Sequence, residues 1–160
     1  MKTPQEIHDQ LKEKFGDAIL EFKPDAVVDP YIQIAPDSSK EIGLYLRDDP
    51  ALDFDYLMCL SSVDYNDGNL GVVYHLNSLR HNHKITLKVR VPKEKPEVQS
   101  VEAVWKSANW HEREAYDMMG IMFTGHSDLR RILCPDDWEG YPLRKDYKVQ
   151  EFYHGMKVPY

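Results

Sequence analysis

The amino-acid sequence predicts a single-domain α+β fold, with a mixed or antiparallel sheet covered by helices on one side and an extended, irregular C-terminal tail. Residues 3–16 have the spacing of an amphipathic helix, residues 70–91 hold two alternating apolar segments, and residues 125–160 lack apolar periodicity. A chain of 160 residues suits one hydrophobic core. We therefore expect a core at 1–124 and a partner-binding tail at 125–160 within the same domain.

The first helix is predicted by the residues at its two ends. Thr3 is a helix-capping residue, Pro4 suits the first helical position, and Glu6 stands where the second member of a capping box belongs. Gly16 is the residue type that commonly follows a helix. Between them runs one apolar stripe, formed by Ile7, Leu11 and Phe15. The sequence therefore predicts about three turns of amphipathic helix that cover a sheet.

Two short strands are predicted next, over residues 18–22 and 31–34, because both segments are apolar and are separated by a chain-breaking proline. A second helix is predicted from a polar cap at residues 36–39. Its buried side is expected to carry three side chains, Ile42, Tyr45 and Leu46. The sequence predicts that the chain becomes extended again over residues 61–65.

Two longer strands show the clearest alternation of apolar and polar residues. They cover residues 70–79 and 85–91, and the first follows a turn at 66–69 that contains a glycine. We expect these strands to pair antiparallel, with one face of the second strand in contact with water. A third helix is predicted from a cap at Ser100, and its apolar stripe continues to a stop at Gly120 if the helix resumes after Asn109.

Charge is spread unevenly along the chain, which has a formal net charge of −7. Residues 1–64 carry six Lys and Arg against fourteen Asp and Glu. This excess of acid argues against nucleic acid as a partner, because such binding requires a basic face. No apolar run approaches the roughly 20 residues that a membrane span needs, and the N-terminus lacks the apolar core of a signal peptide. We therefore expect a cytoplasmic chain that reaches a membrane only through a partner.

The sequence offers no recognisable set of catalytic, cofactor-binding or metal-ligating residues. Cys59 and Cys134 are expected to be free thiols, and two thiols are too few for an ordinary iron–sulfur cluster. His111 and Glu112 begin an H-E-x-x-H zinc motif, but Ala115 stands where the second histidine belongs. No glycine-rich phosphate loop occurs. We therefore predict no site of these three kinds in the chain.

Charged and aromatic side chains are concentrated between Trp110 and Tyr147, first on the third helix and then on the tail. Carboxylates beside an arginine on one helix face suit either acid–base chemistry or ion pairing. The tail arginines alternate with aspartates, so each can pair within the chain or with a partner. The candidate partner interface consists of Glu112, Arg113, Glu114, Asp117, His126, Asp128, Arg130, Arg131, Asp136, Asp137, Trp138, Arg144, Lys145, Asp146 and Tyr147.

The run from Glu112 to Leu133 reads E-R-E-x-x-D-x-x-G-x-x-F-x-G-H-x-D-L-R-R-I-L, and residues 135–147 continue as P-D-D-W-x-G-x-P-L-R-K-D-Y. Both segments closely resemble the signature of the C subunit (30-kDa subunit) family of respiratory complex I, NADH-quinone oxidoreductase. Three upstream segments are similar to the same family, at residues 54–57, 63–64 and 74–79. Ser127 departs from the pattern, since proline is common there, and Cys134 stands at a variable place.

The resemblance implies a subunit of the peripheral arm of a proton-pumping NADH-quinone oxidoreductase. Members of the family have an α+β fold and hold no flavin, iron–sulfur cluster or metal, so FMN, iron–sulfur clusters and quinone are expected in partner subunits. They dock on the hydrogenase-like large D subunit and near iron–sulfur subunits, close to the path from cluster to quinone. The resemblance therefore implies a chain that is not itself catalytic, held by its complex on the cytoplasmic side of the cell membrane.

Three other interpretations remain open at this stage. One is the homologous subunit of a membrane-bound hydrogenase or of a ferredoxin-dependent photosynthetic complex, because other subunits determine the electron donor. Another is a stand-alone enzyme that uses Glu112, Glu114 or His126. The third is an acidic binding module with a partner other than a hydrogenase-like protein. The subunits that co-purify with the chain distinguish the first and third, and turnover by the purified chain distinguishes the second.

Overall fold

A five-stranded mixed sheet forms the centre of the fold in the computed structural model, which describes residues 1–158. Its strands are β1 (Ile19–Lys23), β2 (Tyr31–Ile34), β3 (Tyr56–Asp64), β4 (Asn69–Ser78) and β5 (His83–Pro92). Their order in the sheet is β1-β2-β5-β4-β3. Neighbouring strands run antiparallel except β2 and β5, which run parallel. The predicted α+β class and mixed sheet are confirmed, as is the antiparallel pairing of β4 with β5.

Three helices accompany the sheet: α1 (Pro4–Phe15), α2 (Ser39–Asp48) and α3 (Ala108–Met119). The capping box predicted for α1 is present, since the Glu6 backbone N–H donates to Thr3 Oγ1 at 3.3 Å and the Thr3 backbone N–H donates to Glu6 Oε2 at 2.7 Å. The helix ends at Gly16, whose positive φ of 50° suits glycine. Both ends of α1 therefore lie where the sequence predicts them.

The sheet has one face that packs on the core and one that does not. Ile34, Tyr74 and Leu87 point to the core face and are at most 2% exposed. Apolar side chains of all three helices join them in one buried cluster, which confirms the prediction of helices on one side. The opposite face, which we name the open face, carries Tyr31 and Gln33 of β2, Lys84, Thr86, Lys88 and Arg90 of β5, Val73, His75 and Asn77 of β4, and Cys59 and Ser61 of β3.

The extended segment after α2 begins at Tyr56, five residues before the predicted start at 61. A β-bulge explains the difference, because the pairing register of β3 with β4 shifts between Leu57 and Cys59. Leu57 and Leu60 consequently both face the core although they lie three residues apart. Because of the bulge, the buried apolar residues Leu57 and Leu60 are three positions apart, a spacing more typical of a helix than of the two-residue alternation of a strand.

The third helix also begins later than predicted, at Ala108 and not after Ser100. The chain between them forms turns, because Ser100 Oγ and the Val101 backbone N–H donate to the buried Glu112 carboxylate at 2.6 and 2.7 Å instead of starting a helix. The predicted stop at Gly120 is confirmed, with a left-handed φ of 72°. Two short parallel strands that the sequence did not indicate flank the helix, β6 (Glu97–Gln99) and β7 (Met122–Thr124).

The chain after Thr124 follows an irregular path, as predicted. Up to residue 158, its regular elements are two strands of two residues each, β8 (Phe152–Tyr153) and β9 (Met156–Lys157), which pair antiparallel. The last two residues of the predicted tail, Pro159 and Tyr160, lie outside the described residues. Among the helices described, none is both long and apolar enough to cross a membrane.

Candidate functional site

Asp117 on α3 holds the beginning of the tail in place. Its side chain is fully buried, and Oδ2 accepts hydrogen bonds from the backbone N–H groups of Ile132, Leu133 and Cys134 at 3.0, 2.7 and 2.8 Å. Oδ1 accepts from Arg131 Nη1 at 2.6 Å. Burial acts to raise the pKa of Asp117, but these donors outweigh it and hold the pKa below its usual value. The carboxylate therefore remains charged and fixes three consecutive residues of the irregular chain.

Arg131 extends this anchor into the later part of the tail. Besides Asp117, its guanidinium donates through Nη2 to the carbonyl oxygens of Trp138 at 2.8 Å and Gly140 at 2.9 Å. It also lies 5.5 Å from the centroid of the Tyr141 ring. Only 13% of its side chain is exposed. The sequence left open whether this arginine pairs within the chain or with a partner, and in this structure it pairs within the chain.

Arg144 ties the tail to the end of α3. Its Nε donates to the carbonyl oxygen of Met119 at 2.6 Å, and its guanidinium lies 4.6 Å from the centroid of the Tyr141 ring. Gly120 leaves room for this arrangement, because a Cβ added there would lie 2.5 Å from the Tyr141 ring and 2.7 Å from Arg144 Nη2. The glycine that ends α3 is thus also a place where the tail packs directly on the backbone of the helix end.

A second buried carboxylate, Asp64 at the end of β3, fixes the tail further along. Its Oδ2 accepts from the Lys145 backbone N–H and from Lys93 Nζ, each at 2.9 Å, and 1% of its side chain is exposed. Burial opposes its charge, but these donors and the Asn66 backbone N–H lower the pKa of Asp64 to about 2. Lys93 also lies 3.5 Å from Asp146. The sequence analysis did not identify Asp64 and Lys93 as partners of the tail. The one feature that could have indicated Asp64 is its place in a segment, residues 63–64, that resembles the family.

Glu112 is the third buried carboxylate of the region. It is fully buried, and the hydrogen bonds from Ser100 and Val101 only partly offset burial, which raises the pKa of Glu112 to about 7. His126 Nε2 lies 4.0 Å from Glu112 Oε2, and the imidazole itself has no exposed surface. On its other side, His126 Nδ1 lies 3.9 Å from Glu102. This cluster joins α3 to the segments before and after it.

Glu102, in the turns before α3, binds the loop that follows β7 through hydrogen bonds from Ser127. The Ser127 backbone N–H and Oγ donate to its carboxylate at 2.9 and 2.8 Å, and Asn109 Nδ2 donates at 2.9 Å. These donors lower the pKa of Glu102 to about 2. The proline that the family pattern favours at position 127 has no N–H to donate. Ser127 therefore supplies two hydrogen bonds to this loop, of which proline would supply neither.

The three residues that a stand-alone enzyme was expected to use, Glu112, Glu114 and His126, do not line one cavity. Glu112 and His126 have side chains with no exposed surface, whereas Glu114 is exposed. The pocket that Glu114 lines has a volume of about 310 Å³ and contains His111, but neither Glu112 nor His126 borders it. Residues 1–158 bring together no group of three or more His, Cys, Asp or Glu side chains suited to a metal ion. The buried carboxylates of this region serve hydrogen bonds within the chain.

Both cysteines are free thiols, and Cys134 lies beside the Asp117 anchor. Burial, followed by the nearby Asp117 charge, raises the pKa of the Cys134 thiol. A raised pKa keeps the thiol protonated near neutral pH, and the thiolate is the reactive form. Cys134 therefore has the environment of a packed side chain, since the nearby Arg131 charge, which lowers the pKa, is outweighed by burial and Asp117.

The remaining candidate residues form the outer surface of the tail. Arg130 and Asp128 pair at 2.9 Å with 66% and 55% of their side chains exposed. Exposed charges also include Glu114, Asp136, Asp137, Lys145 and Asp146. Arg113 of α3 donates to the carbonyl oxygens of Arg130 and Arg131, and these bonds hold the backbone of this surface against the helix. The prediction that Glu112 and Asp117 contact a partner does not fit their complete burial, so they act on the surface only through the chain they hold.

Apolar side chains are exposed beside these charges. They include Leu133 at 63%, Leu143 at 57%, Phe152 at 58% and Met156 at 65%. The half-buried Trp138 packs on Tyr153, with ring centroids 5.2 Å apart. Exposed apolar side chains interspersed with charges are the mixture that protein–protein interfaces commonly use. We name the charged and apolar surface of residues 128–158 the tail surface.

The amino-acid sequence matches the profile of a family described as "Respiratory-chain NADH dehydrogenase, 30 Kd subunit" over residues 32–153. It is 56% identical over 151 residues to the C subunit of NADH-quinone oxidoreductase from Chloroherpeton thalassium, a match that covers 94% of this chain and 63% of that protein. It is 52% identical over 162 aligned positions to the C subunit of the same enzyme from Chlorobium phaeobacteroides, covering 100% of this chain and 98% of that protein. The chain thus spans less than two thirds of the first relative and nearly all of the second.

Two solved structures are similar in fold. A trypsin-resistant fragment of Nqo5 matches with a TM-score of 0.64 and 28% identity, covering 77% of this chain and 98% of the fragment. A chain in the structure of the membrane-bound sulfane sulfur reductase, described as an archaeal respiratory membrane complex, matches with a TM-score of 0.72 and 24% identity. That match covers 91% of this chain and 85% of the other, and at this identity it shows a shared fold alone.

Proposed function

The chain belongs to the family of the respiratory-chain NADH dehydrogenase 30 Kd subunit, and on this premise we propose that it is a structural, non-catalytic subunit of the peripheral arm of a proton-pumping NADH-quinone oxidoreductase. It holds its hydrogenase-like large subunit in position, so that the geometry between the last cluster and the quinone is maintained. Electron transfer itself takes place on FMN, iron–sulfur clusters and quinone in partner subunits.

The observation that carries this proposal is the way the chain organises its tail. Asp117, Arg131 and Asp64 are largely buried and fix an irregular segment by hydrogen bonds to its backbone. An irregular segment that is ordered before binding loses less conformational entropy when a partner docks. The tail surface is therefore a preformed docking site, which suits a subunit whose task is to position another protein.

The mixed chemistry of the tail surface fits a large protein partner. Arg130 and Lys145 lie near exposed carboxylates, and Leu143 and Phe152 add exposed apolar area. Interspersed charges of both signs determine the orientation of a partner, while apolar contacts supply most of the affinity. We propose that the large D subunit occupies this surface and that neighbouring iron–sulfur subunits complete the site on the cytoplasmic side of the membrane.

A related assembly is the second candidate. The similarity in fold to a chain of the membrane-bound sulfane sulfur reductase favours this second candidate, because the same fold occurs in a respiratory complex other than NADH-quinone oxidoreductase. In that case the chain has the same structural task beside a large subunit, and the electron donor differs. A membrane-bound hydrogenase and a ferredoxin-dependent photosynthetic complex are the corresponding alternatives.

Purification of the tagged full chain from membranes tests the proposal and separates the two candidates. Mass spectrometry of the purified assembly should identify a hydrogenase-like large subunit, iron–sulfur subunits and an FMN-binding, NADH-oxidising subunit. An assembly that contains the large subunit without the NADH-oxidising one would favour the second candidate. Recovery of the chain without any large subunit, or quinone reduction by the purified chain alone, would contradict the structural role.

A further inference from the structure

The open face of the sheet is a second surface that the tail does not use. The side chains at the centre of this face are nearly buried, since Val73 is 8% exposed and Thr86 is 5% exposed. Lys84 and Arg90, on the same face of β5 but nearer its ends, are exposed. The face lies on the side of the sheet opposite the helices and the buried cluster. At the β3 edge of this face, Cys59 and Ser61 line the same hollow as His111 and Glu114 of α3, whereas β2 and β5 lie further from this edge in the sheet.

Two cations of this face lack an ionic partner in the described part of the chain. Lys84 forms no ion pair within residues 1–158, and Lys88 has its Nζ 3.7 Å from the centroid of the Tyr31 ring but no carboxylate partner. Two other cations are already paired, Lys23 with Glu21 and Arg90 with Asp67. In a chain with a net charge of −7, this face is a local excess of positive charge.

The same face is concave and has unsatisfied polar atoms. Two hollows of about 260 and 360 Å³ meet on it, and His75, Thr86 and Asp29 line both. His75 Nδ1 and Asn77 Oδ1 have no hydrogen-bond partner within residues 1–158. The loop between β1 and β2 borders the second hollow with two exposed apolar side chains, Val27 and Val28. Buried polar atoms without a partner are uncommon in folded proteins.

We propose that the open face binds an extended, acidic segment of a second protein of the assembly, distinct from the large subunit at the tail surface. The acidic side chains of this segment pair with Lys84 and Lys88, and uncharged side chains of the segment lie in the two hollows, because Asp29 lines both and repels a carboxylate there. Charge complementarity carries the choice of occupant, because an acidic segment is attracted to the unpaired lysines of this face and repelled by the acidic excess of residues 1–64. The proposal takes from the proposed function only that the chain is part of an assembly.

An anionic membrane surface is the other class of partner for a basic face, and the charges do not favour it. Lipid-binding surfaces in proteins typically cluster about four to eight Lys or Arg side chains. The open face has two unpaired cations, Lys84 and Lys88, and Asp29 stands on its rim. The net charge of −7 repels an anionic surface as a whole.

Amine labelling of the assembled complex tests the proposal. Lys84 and Lys88 should react with an acylating reagent about tenfold more slowly in the complex than in the purified full chain, since a bound segment excludes the reagent and orders both ammonium groups. A carbodiimide, which joins amines to neighbouring carboxylates, should link one of these lysines to an Asp or Glu of another subunit. The double variant Lys84→Arg/Lys88→Arg keeps the charge and should lose the cross-link while it retains that subunit.

Charge reversal completes the test. Lys84→Glu/Lys88→Glu should weaken retention of the cross-linked subunit about tenfold on washing, whereas Lys40→Glu/Lys106→Glu, at exposed positions outside the open face, should not. The large subunit should remain bound in both, which separates this result from a failure of the tail surface. Equal labelling of Lys84 and Lys88 in the complex and the free chain would overturn the proposal. So would protection without a carboxylate cross-link, or protection reproduced by vesicles of phosphatidylglycerol alone.

Discussion

Asp117 shows how a single side chain specifies an irregular path. Three consecutive backbone N–H groups and one guanidinium donate to its two oxygens, so the chain from Ile132 to Cys134 has defined hydrogen bonds without regular secondary structure. The spacing of the helix placed Arg113 beside Asp117 on one face and left open whether these groups serve acid–base chemistry or ion pairing. Arg113 instead reaches the carbonyl oxygens of Arg130 and Arg131, because the tail folds back over α3.

Replacing Asp117 with Ala should destabilise the chain by about 3–5 kcal/mol, because it leaves the mostly buried Arg131 without its carboxylate partner and three backbone donors without an acceptor. The control is Asp128→Ala, which removes a carboxylate from an exposed ion pair and should change stability by no more than about 0.5 kcal/mol. Urea unfolding of the purified full chain measures both. Equal losses in the two variants would show that Asp117 is not the anchor.

Glu112 should make the stability of the chain depend on pH in a particular direction. Its folded pKa of about 7 lies above the ordinary value of 4.5, so the folded state binds the proton more tightly. This contribution is fully present below pH 4.5 and is lost as pH rises through 7, a fall of about 3 kcal/mol. Asp64 and Glu102, whose pKa values are lowered to about 2, act in the opposite sense and only at acid pH.

The variant Glu112→Gln isolates this effect, because glutamine has a similar shape and does not ionise. Between pH 4.5 and 8 the free energy of unfolding of the variant should gain about 3 kcal/mol relative to the wild type. Urea unfolding at several pH values measures the difference, and groups that titrate in both proteins cancel. A constant difference across this range would mean that folding does not raise the pKa of Glu112.

At the scale of elements, the predictable features were those with local signals. The capping box of α1, the glycine after α3 and the alternation of β4 and β5 all depend on residues close in sequence, and all were confirmed. The predicted starts of β3 and α3 were wrong because contacts between residues distant in sequence determine them. A bulge against β4 changes the spacing of Leu57 and Leu60, and Ser100 bonds to Glu112 twelve residues later.

Gly120 joins α3 to the tail, and its substitution should affect both. Gly120→Ala places a Cβ at a φ of 72° and 2.5 Å from Tyr141, so it strains the backbone and displaces Tyr141 and Arg144. Gly125→Ala is the matched control, since its φ of 85° is also positive but no atom lies within 4 Å of the added Cβ. The control should cost about 1 kcal/mol and Gly120→Ala at least about 2 kcal/mol more.

Urea unfolding and limited proteolysis measure the two effects of Gly120→Ala separately. Cleavage within the tail should become faster in this variant while cleavage in Gly125→Ala remains near the wild-type rate, because only the first substitution displaces the tail from α3. If both variants lose the same stability and resist the protease equally, the contact between Gly120 and Tyr141 does not hold the tail.

At the scale of the whole molecule, the sequence predicted the class of fold and the location of the tail. It left open which charges face inward, because burial and distant partners such as Asp64 and Lys145 do not appear in local spacing. The structure divides the candidate residues into buried anchors and an exposed surface. The open face is exposed as well, and the two partners that we propose contact separate areas of the chain.

The two areas suggest how one small chain can organise a larger assembly. The buried carboxylates Glu112, Asp117 and Asp64 are used within the chain, and the exposed residues of the tail surface are available for docking. Arg144 belongs to the first group because it bonds to Met119 and packs on Tyr141. Arg144→Ala therefore affects the fold of the tail as well as its surface, whereas Arg130 is exposed and bonds only with Asp128 through its side chain among the described residues.

Arg130→Ala in the assembled complex tests the central claim most directly, with Arg80→Ala as the control at an exposed guanidinium in the β4–β5 turn. Quantitative mass spectrometry of the purified complex measures the large subunit retained per copy of this chain, and quinone reduction is measured per assembled complex. We predict about tenfold weaker retention for Arg130→Ala, as for an interface residue that contributes over 1 kcal/mol, with unchanged turnover in the complexes that remain. Full retention of the large subunit with slowed quinone reduction would contradict the account.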